Sequence, residues 1–160
     1  RHTRFRNVTG VQTCALPILR GGDMPPIAHG ETIASRKRVQ TLVEKNLIDF
    51  LTLDLSWCGG LTEGLKFADL ARKNGVKIAP HDCTGPVGLT IGAHLSTADE
   101  NAIIQETVRS AYRTWYPHLV SGLPRINKGI LTLNSTPGLG LELRDDFKAS
   151  IRQSVFAAQS

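Results

Sequence analysis

Four side chains suited to acid–base or metal chemistry recur at near-even intervals: Glu31, Asp54, His81 and Glu106, separated by 23, 27 and 25 residues. A histidine works as a base of defined tautomer when one ring nitrogen is held as N–H and the other stays free to accept a proton. A neighbouring carboxylate supplies that hold and stabilises the imidazolium once it forms. Asp54 and His81 make such a pair if their segments lie side by side; otherwise His81 satisfies a polar rim and Asp54 caps the turn before Cys58-Gly59-Gly60. Of the two glutamates, one suits a divalent metal, because hard cations take oxygen ligands, and the other suits hydrogen bonding at substrate oxygens. Each taken alone reads more readily as a surface glutamate.

The elements that must position these residues follow a repeating pattern. Short apolar runs at 25–31, 48–54, 76–81 and 101–106 read as strands, each ending at one of the four residues. Helical periodicity follows the first three. Ser35 is placed to cap a helix with Val39, Leu42 and Val43 facing inward. Thr62 is placed to cap a second, with Leu65, Ala68 and Ala71 on one face and Asn74-Gly75 ending it. Pro86 suits the first turn of a third, running to about Thr97. Strands alternating with helices through short links predict an α/β fold with parallel strands, whose C-terminal ends share one rim, where ligands bind in open sheets and (β/α) barrels alike. Beyond residue 125 the pattern changes. Ile130, Leu131 and Leu133, then Leu139, Leu141 and Leu143, predict two extended segments around the turn "STPG", followed by a short helix or frayed end over 148–160.

Composition narrows the function classes. The 160 residues carry 41% hydrophobic and 21% charged side chains, ordinary for a globular domain. The formal charge of +5 is concentrated at the start: Arg1, Arg4, Arg6 and Arg20 face no acid in residues 1–20. The remainder holds 15 basic against 14 acidic residues. Apart from Arg36-Lys37-Arg38 there is no basic stripe to follow a phosphate backbone, so no nucleic-acid partner is expected. No apolar run reaches the ~18 residues of a membrane span. Three cysteines without CxxC spacing predict neither a disulfide framework nor a zinc site, and a cytoplasmic setting. Neither GxGxxG nor GxxxxGK[ST] follows any strand, against a nucleotide site. Residues 1–19, Arg-rich and without a clear period, resemble translated adapter sequence and are expected to be a non-native leader.

The segments "PPIAHGET", "LDLSWCGGLTEGLKFADLA", "VKIAPHDCTGPVG", "NAIIQE" and "TPGLGLEL" together resemble the C-terminal part of an enolase-superfamily enzyme of the mandelate racemase/muconate lactonizing type. They are most similar to the acid-sugar (galactonate-type) dehydratases. The resemblance implies the C-terminal half of a (β/α) TIM-type barrel, about strands 5 to 8, over residues 20–125. It also implies a tail, 126–160, that packs on a capping domain not in this chain. It implies that Glu31 is a ligand of Mg²⁺, that Asp54 and His81 are a dyad with His81 as the base at the carbon α to a carboxylate, and that Glu106 hydrogen-bonds the substrate carboxylate as it becomes an enediolate. Asp54 stands where muconate-lactonizing relatives carry a lysine, which implies the racemase and dehydratase branch.

The expected activity is therefore that of a fragment of a Mg²⁺-dependent acid-sugar dehydratase, a hydro-lyase giving a 2-keto-3-deoxy acid and forming homo-oligomers at full length. The remaining metal ligands and second acid/base are expected upstream. The alternatives are a racemase or epimerase of a 2-hydroxy acid, or an inactive half-barrel as an isolated chain. His29 reads as a hydrogen-bonded core residue that could instead face the rim beside Glu31, Asp82 and Thr84 as turn formers that could instead orient His81, and Trp57 and Cys58 as packing residues. Arg109 and Arg113, in the loop expected after the last strand, read as surface cations that could instead clamp a carboxylate.

Overall fold

The computed structural model describes residues 25–157, with side chains through residue 151. The expected leader lies outside the described residues, as does the end of the tail at 158–160. Three parallel strands, β1 (Ala28–His29), β2 (Phe50–Leu51) and β3 (Lys77–Ile78), pair in that order. His29, Leu51 and Ile78 stand in one row, and Ala102 extends it through a parallel bridge to Ile78. The fourth expected strand is thus a single bridge flanked by two hydrogen bonds, Ile78 N–H to Asn101 O and Ile103 N–H to Ile78 O. Ladder bonding outruns the formal strands elsewhere too, since Thr52 N–H donates to His29 O and Ala79 N–H to Leu51 O.

Helices cross between the strands. In α1 (Arg36–Glu44) the expected face of Val39, Leu42 and Val43 is buried. Ser35 occupies the N-cap position, but its side chain makes no capping hydrogen bond. The second helix, α2 (Leu61–Lys73), starts at Gly60, so Thr62 lies inside it and caps nothing. Its buried face is Gly64, Phe67, Ala68 and Ala71, whereas Leu65 is exposed, because the 3.6-residue period through Ala68 and Ala71 runs back to Gly64. Asn74 and Gly75, the latter at φ +72°, end it as expected. The third, α3 (Pro86–Ala98), begins with Pro86 just after Gly85, whose φ of +136° lets the chain turn sharply into the helix. Val39, Val43, Leu51, Phe67, Ala71 and Ile78, each at most 1% exposed, form the core between sheet and helices.

The C-terminal third departs from the expected pattern. The segment after Glu106 is two short helices, α4 (Arg109–Arg113) and α5 (Tyr116–Leu119), in place of a loop. Next come β4 (Val120–Ser121), β5 (Arg125–Asn127), β6 (Ile130–Thr132), β7 (Glu142–Leu143) and α6 (Asp145–Ala157). The two extended segments around "STPG" do not pair with each other: β6 pairs antiparallel with β5, and β7 with β4. Asn127 faces Ile130 across a two-residue link in which Lys128 (φ +49°) and Gly129 (φ +80°) both take the left-handed conformation that favours tight hairpins. Tyr112 Oη donates to Pro124 O (2.9 Å) and accepts from Ile126 N–H (3.1 Å), which fastens this hairpin to α4. Among the described residues no helix is long and apolar enough to cross a membrane.

Candidate active site

Register explains why the four candidate residues share one rim. From the row His29–Leu51–Ile78–Ala102, Glu31 lies two residues further along, Asp54 and His81 three, and Glu106 four. Parallel pairing keeps the strand ends on one side, and backbone bonds carry the register to the chemistry. His81 N–H donates to Leu53 O (2.9 Å), one residue before Asp54, and Glu106 N–H donates to Pro80 O (2.9 Å), one residue before His81. Each chemical side chain is therefore locked to its neighbour by the residue beside it.

Asp54 is 1% exposed. Its Oδ1 accepts N–H bonds from Ser56 (2.7 Å) and Trp57 (3.3 Å), and its Oδ2 sits 2.9 Å from Nδ1 of His81. With Oδ1 committed to backbone donors, Oδ2 is the oxygen left to receive the Nδ1 proton. That tautomer leaves Nε2 unprotonated and able to take a proton. Nε2 lies 3.9 Å from Glu106 Oε2, whose side chain is 57% exposed at the rim. The structure thus brings Asp54, His81 and Glu106 into one line.

Glu31 stands at the end of β1. Its Oε2 accepts from Gly30 N–H (3.0 Å) and Thr52 Oγ1 (3.3 Å) and lies 3.9 Å from His29 Nδ1. Partial burial pushes its carboxyl up, but the backbone hydrogen bonds, His29 and Thr52 outweigh this and hold it below the usual carboxylate range. Gly30, Thr52 and His29 belong to the β1 and β2 ends, not to the His81 line. As an ionised, half-exposed, all-oxygen ligand, Glu31 fits one position in the shell of a hard cation such as Mg²⁺, which needs several more oxygens.

Asp82, expected as a turn former, is fully buried. Tyr116 Oη (3.2 Å) and Thr107 Oγ1 (3.3 Å) donate to it, as does Val108 N–H, yet burial pushes its carboxyl above the ordinary range against these bonds. It ties the residue after His81 to the residues after Glu106. No sequence motif marked this role; an Asp beside the base followed by a buried tyrosine 34 residues on carries no periodic signal. Thr84 pairs with Ser56 through their hydroxyls at 2.8 Å. Trp57, expected to pack, is half-exposed, whereas Cys58 is buried with its thiol pushed up to about 11 by desolvation. Arg109 and Arg113 are exposed, and among the described residues neither guanidinium has an ion-pair partner.

The sequence matches the family described as enolase C-terminal domain-like over residues 15–147. A D-galactonate dehydratase family member from Salmonella virchow is 34% identical over 139 residues, covering 84% of this chain and 32% of that protein. Among solved structures, an enolase of the mandelate racemase subgroup from Agrobacterium tumefaciens superposes with a TM-score of 0.70 at 42% identity, over 78% of this chain and 33% of that one. An enolase from Pantoea ananatis with bound D-gluconate and Mg superposes with a TM-score of 0.76 at 28% identity, over 86% of this chain and 33% of that one. The chain spans about a third of the length of these relatives. With a parallel α/β half-barrel and a family match over most of its length, the chain belongs to the enolase C-terminal domain-like family.

Proposed function

We propose that this chain is the dyad-bearing part of an acid-sugar dehydratase. The supporting observation is the His81 Nδ1 to Asp54 Oδ2 contact of 2.9 Å, which leaves Nε2 as the proton acceptor at the rim. His81 Nε2 takes the proton from the carbon α to the substrate carboxylate, and the electron pair of that C–H bond passes into an enediolate. Asp54, already holding Nδ1–H, stabilises the imidazolium that results. Glu106, on the far side of Nε2, hydrogen-bonds the carboxylate oxygen that gains charge. Collapse of the enediolate forms the C2–C3 double bond as the C3–O bond breaks. The hydroxyl leaves as water with the proton that the His81 imidazolium gives back, and the enol tautomerises to a 2-keto-3-deoxy acid. Glu31 would hold part of a Mg²⁺, whose chemistry when bound is to offset the added negative charge of the intermediate. The remaining ligands and a second acid/base would come from outside these residues.

The test is a dehydration assay on D-galactonate and D-gluconate with Mg²⁺. A protein carrying this sequence at its relatives' length should release a 2-keto-3-deoxy acid, and His81→Gln should abolish release. The 160-residue chain by itself should give none. Undiminished turnover by the His81→Gln protein would sink the assignment of the base.

A further inference from the structure

The dyad has a third neighbour that the dehydration chemistry does not use. Cys83, two residues past His81, is exposed, and its Sγ lies within 4.8 Å of ligand atoms of both Asp54 and His81, which likewise lie within 4.8 Å of each other. We propose that Asp54, His81 and Cys83 form a second cation site, for a thiophilic divalent ion such as Zn²⁺ or Cd²⁺, and that filling it takes the base out of use. Binding itself does not depend on the proposed reaction; only the loss of the base does.

The donor set carries the argument. A carboxylate oxygen, an imidazole nitrogen and a thiolate are the ligands borderline and soft cations select, and Mg²⁺ does not. Tetrahedral zinc, with bonds of about 2.0–2.3 Å, holds its ligand atoms about 3.3–3.8 Å apart. Oδ2 and Nδ1, at 2.9 Å, need to part by only about 0.4 Å as the ion replaces the proton between them. The exposed Cys83 side chain needs only a small swing to close the third edge, and water completes the shell.

The surroundings favour a positive charge. Burial, and then the carboxylates Asp54, Asp82, Glu106 and Glu31, hold the Cys83 thiol above its ordinary range, so a cation entering among them meets a negative field. Proton balance is simple. With the ion on Nδ1 the ring proton moves to Nε2, and the thiol loses its proton to solvent, so one proton is released per ion bound. The resulting Nε2–H can no longer accept a proton from substrate.

Cd²⁺ added to the 160-residue chain should give thiolate-to-metal charge-transfer absorption saturating at one equivalent, with one proton released per ion. Cys83→Ser should abolish the band and Cys14→Ser should leave it. His81→Gln should weaken binding at least tenfold. Because His81→Gln could perturb folding, the ring ¹⁵N resonances of His81 in the unaltered chain provide a second reading and should shift with one equivalent of Zn²⁺. A millimolar excess of Mg²⁺ should not displace Cd²⁺. A band surviving Cys83→Ser, an unmoved His81 ring, or displacement by Mg²⁺ would each overturn the site.

Discussion

Nδ1 of His81 lies 2.9 Å from Oδ2 of Asp54, while the other oxygen of Asp54 is held by the N–H groups of Ser56 and Trp57. This division of labour predicts what Asp54→Asn does. The amide oxygen of Asn stays with the two backbone donors, so its NH₂ group faces Nδ1 and donates to it. His81 is then driven into the Nε2–H tautomer, the wrong one for a base. Nitrogen-15 spectra of the chain should show the ring switching from Nδ1–H to Nε2–H. In a full-length protein the turnover should fall by roughly 10³–10⁴-fold, the scale seen when a base is held in the wrong tautomer. An unchanged tautomer would show that Asp54 does not set it.

Asp82 offers a separate test in stability. Replacing it with Ala leaves Tyr116 Oη, Thr107 Oγ1 and Val108 N–H without their acceptor in a buried site, at a cost of about 1–3 kcal/mol. The cost should depend on pH. Burial raises the folded carboxyl above its unfolded value, so between the two values the folded chain binds more protons than the unfolded chain. The stability contributed by Asp82 is therefore greatest below the unfolded value, near pH 4, and declines as pH rises through the folded value. Urea unfolding of wild type and Asp82→Ala should show a wider gap at pH 4 than at pH 7. A gap that widens toward neutral pH would reverse the assigned direction.

The sequence made the rim legible because four short apolar runs each end at a carboxylate or imidazole, at intervals of 23 to 27 residues. That signal located Glu31, Asp54, His81 and Glu106 and the parallel order that joins them. It failed where contacts are neither local nor periodic. The Asp82–Tyr116 bond spans 34 residues, and the pairing of β4 with β7 encloses the whole β5–β6 hairpin. Leu139, Leu141 and Leu143 alternate as a strand should, but alternation cannot name the partner, and hydrogen bonding by Val120–Ser121 decided it. Leu65 was misplaced for a related reason. Gly64 carries no hydrophobic signal, yet it is the residue that lets α2 approach the chain after Asp54.

Gly64 is a point where packing reaches the site. A Cβ at this position would lie 2.1 Å from Cδ2 of Leu55, the residue directly after Asp54, and Leu55 is 2% exposed with little room to move. Alanine favours the helix by about 1 kcal/mol over glycine, but overpacking a filled core costs about 1–3 kcal/mol. Gly64→Ala should therefore lower stability by roughly 1 kcal/mol net of these opposing effects and shift the His81 ring resonances, because the Leu55 side chain must leave its present position in a filled core directly beside Asp54. Combining it with Leu55→Ala should remove the clash, making the pair strongly non-additive in urea unfolding. Additive losses would mean that Gly64 and Leu55 do not meet.

Cys58 and Cys83 should separate by reactivity. Cys58 is buried, with its Sγ 3.9 Å from Leu55 O and 3.7 Å from Gly60 O, and desolvation first, then the charge of Asp54, keeps its thiol up near about 11. At pH 8 only about one such thiol in a thousand is ionised, and thiolate is the reacting form, whereas Cys83, though also held above its ordinary range, is exposed to the reagent. Exclusion of the reagent slows Cys58 further. Alkylation of the native chain at pH 8, mapped by peptide mass, should modify Cys83 at least a hundredfold faster than Cys58, with the difference vanishing in denaturant. The same measurement reads the floor of the site, because Cys58 N–H donates to Asp54 O at 3.0 Å. Exposing that thiol requires opening the turn that holds the carboxylate, so the native alkylation rate of Cys58 measures how often the Asp54 turn opens. Rapid labelling of Cys58 in the folded chain would mean that the support beneath His81 is not rigid, and the fixed tautomer would lose its structural basis.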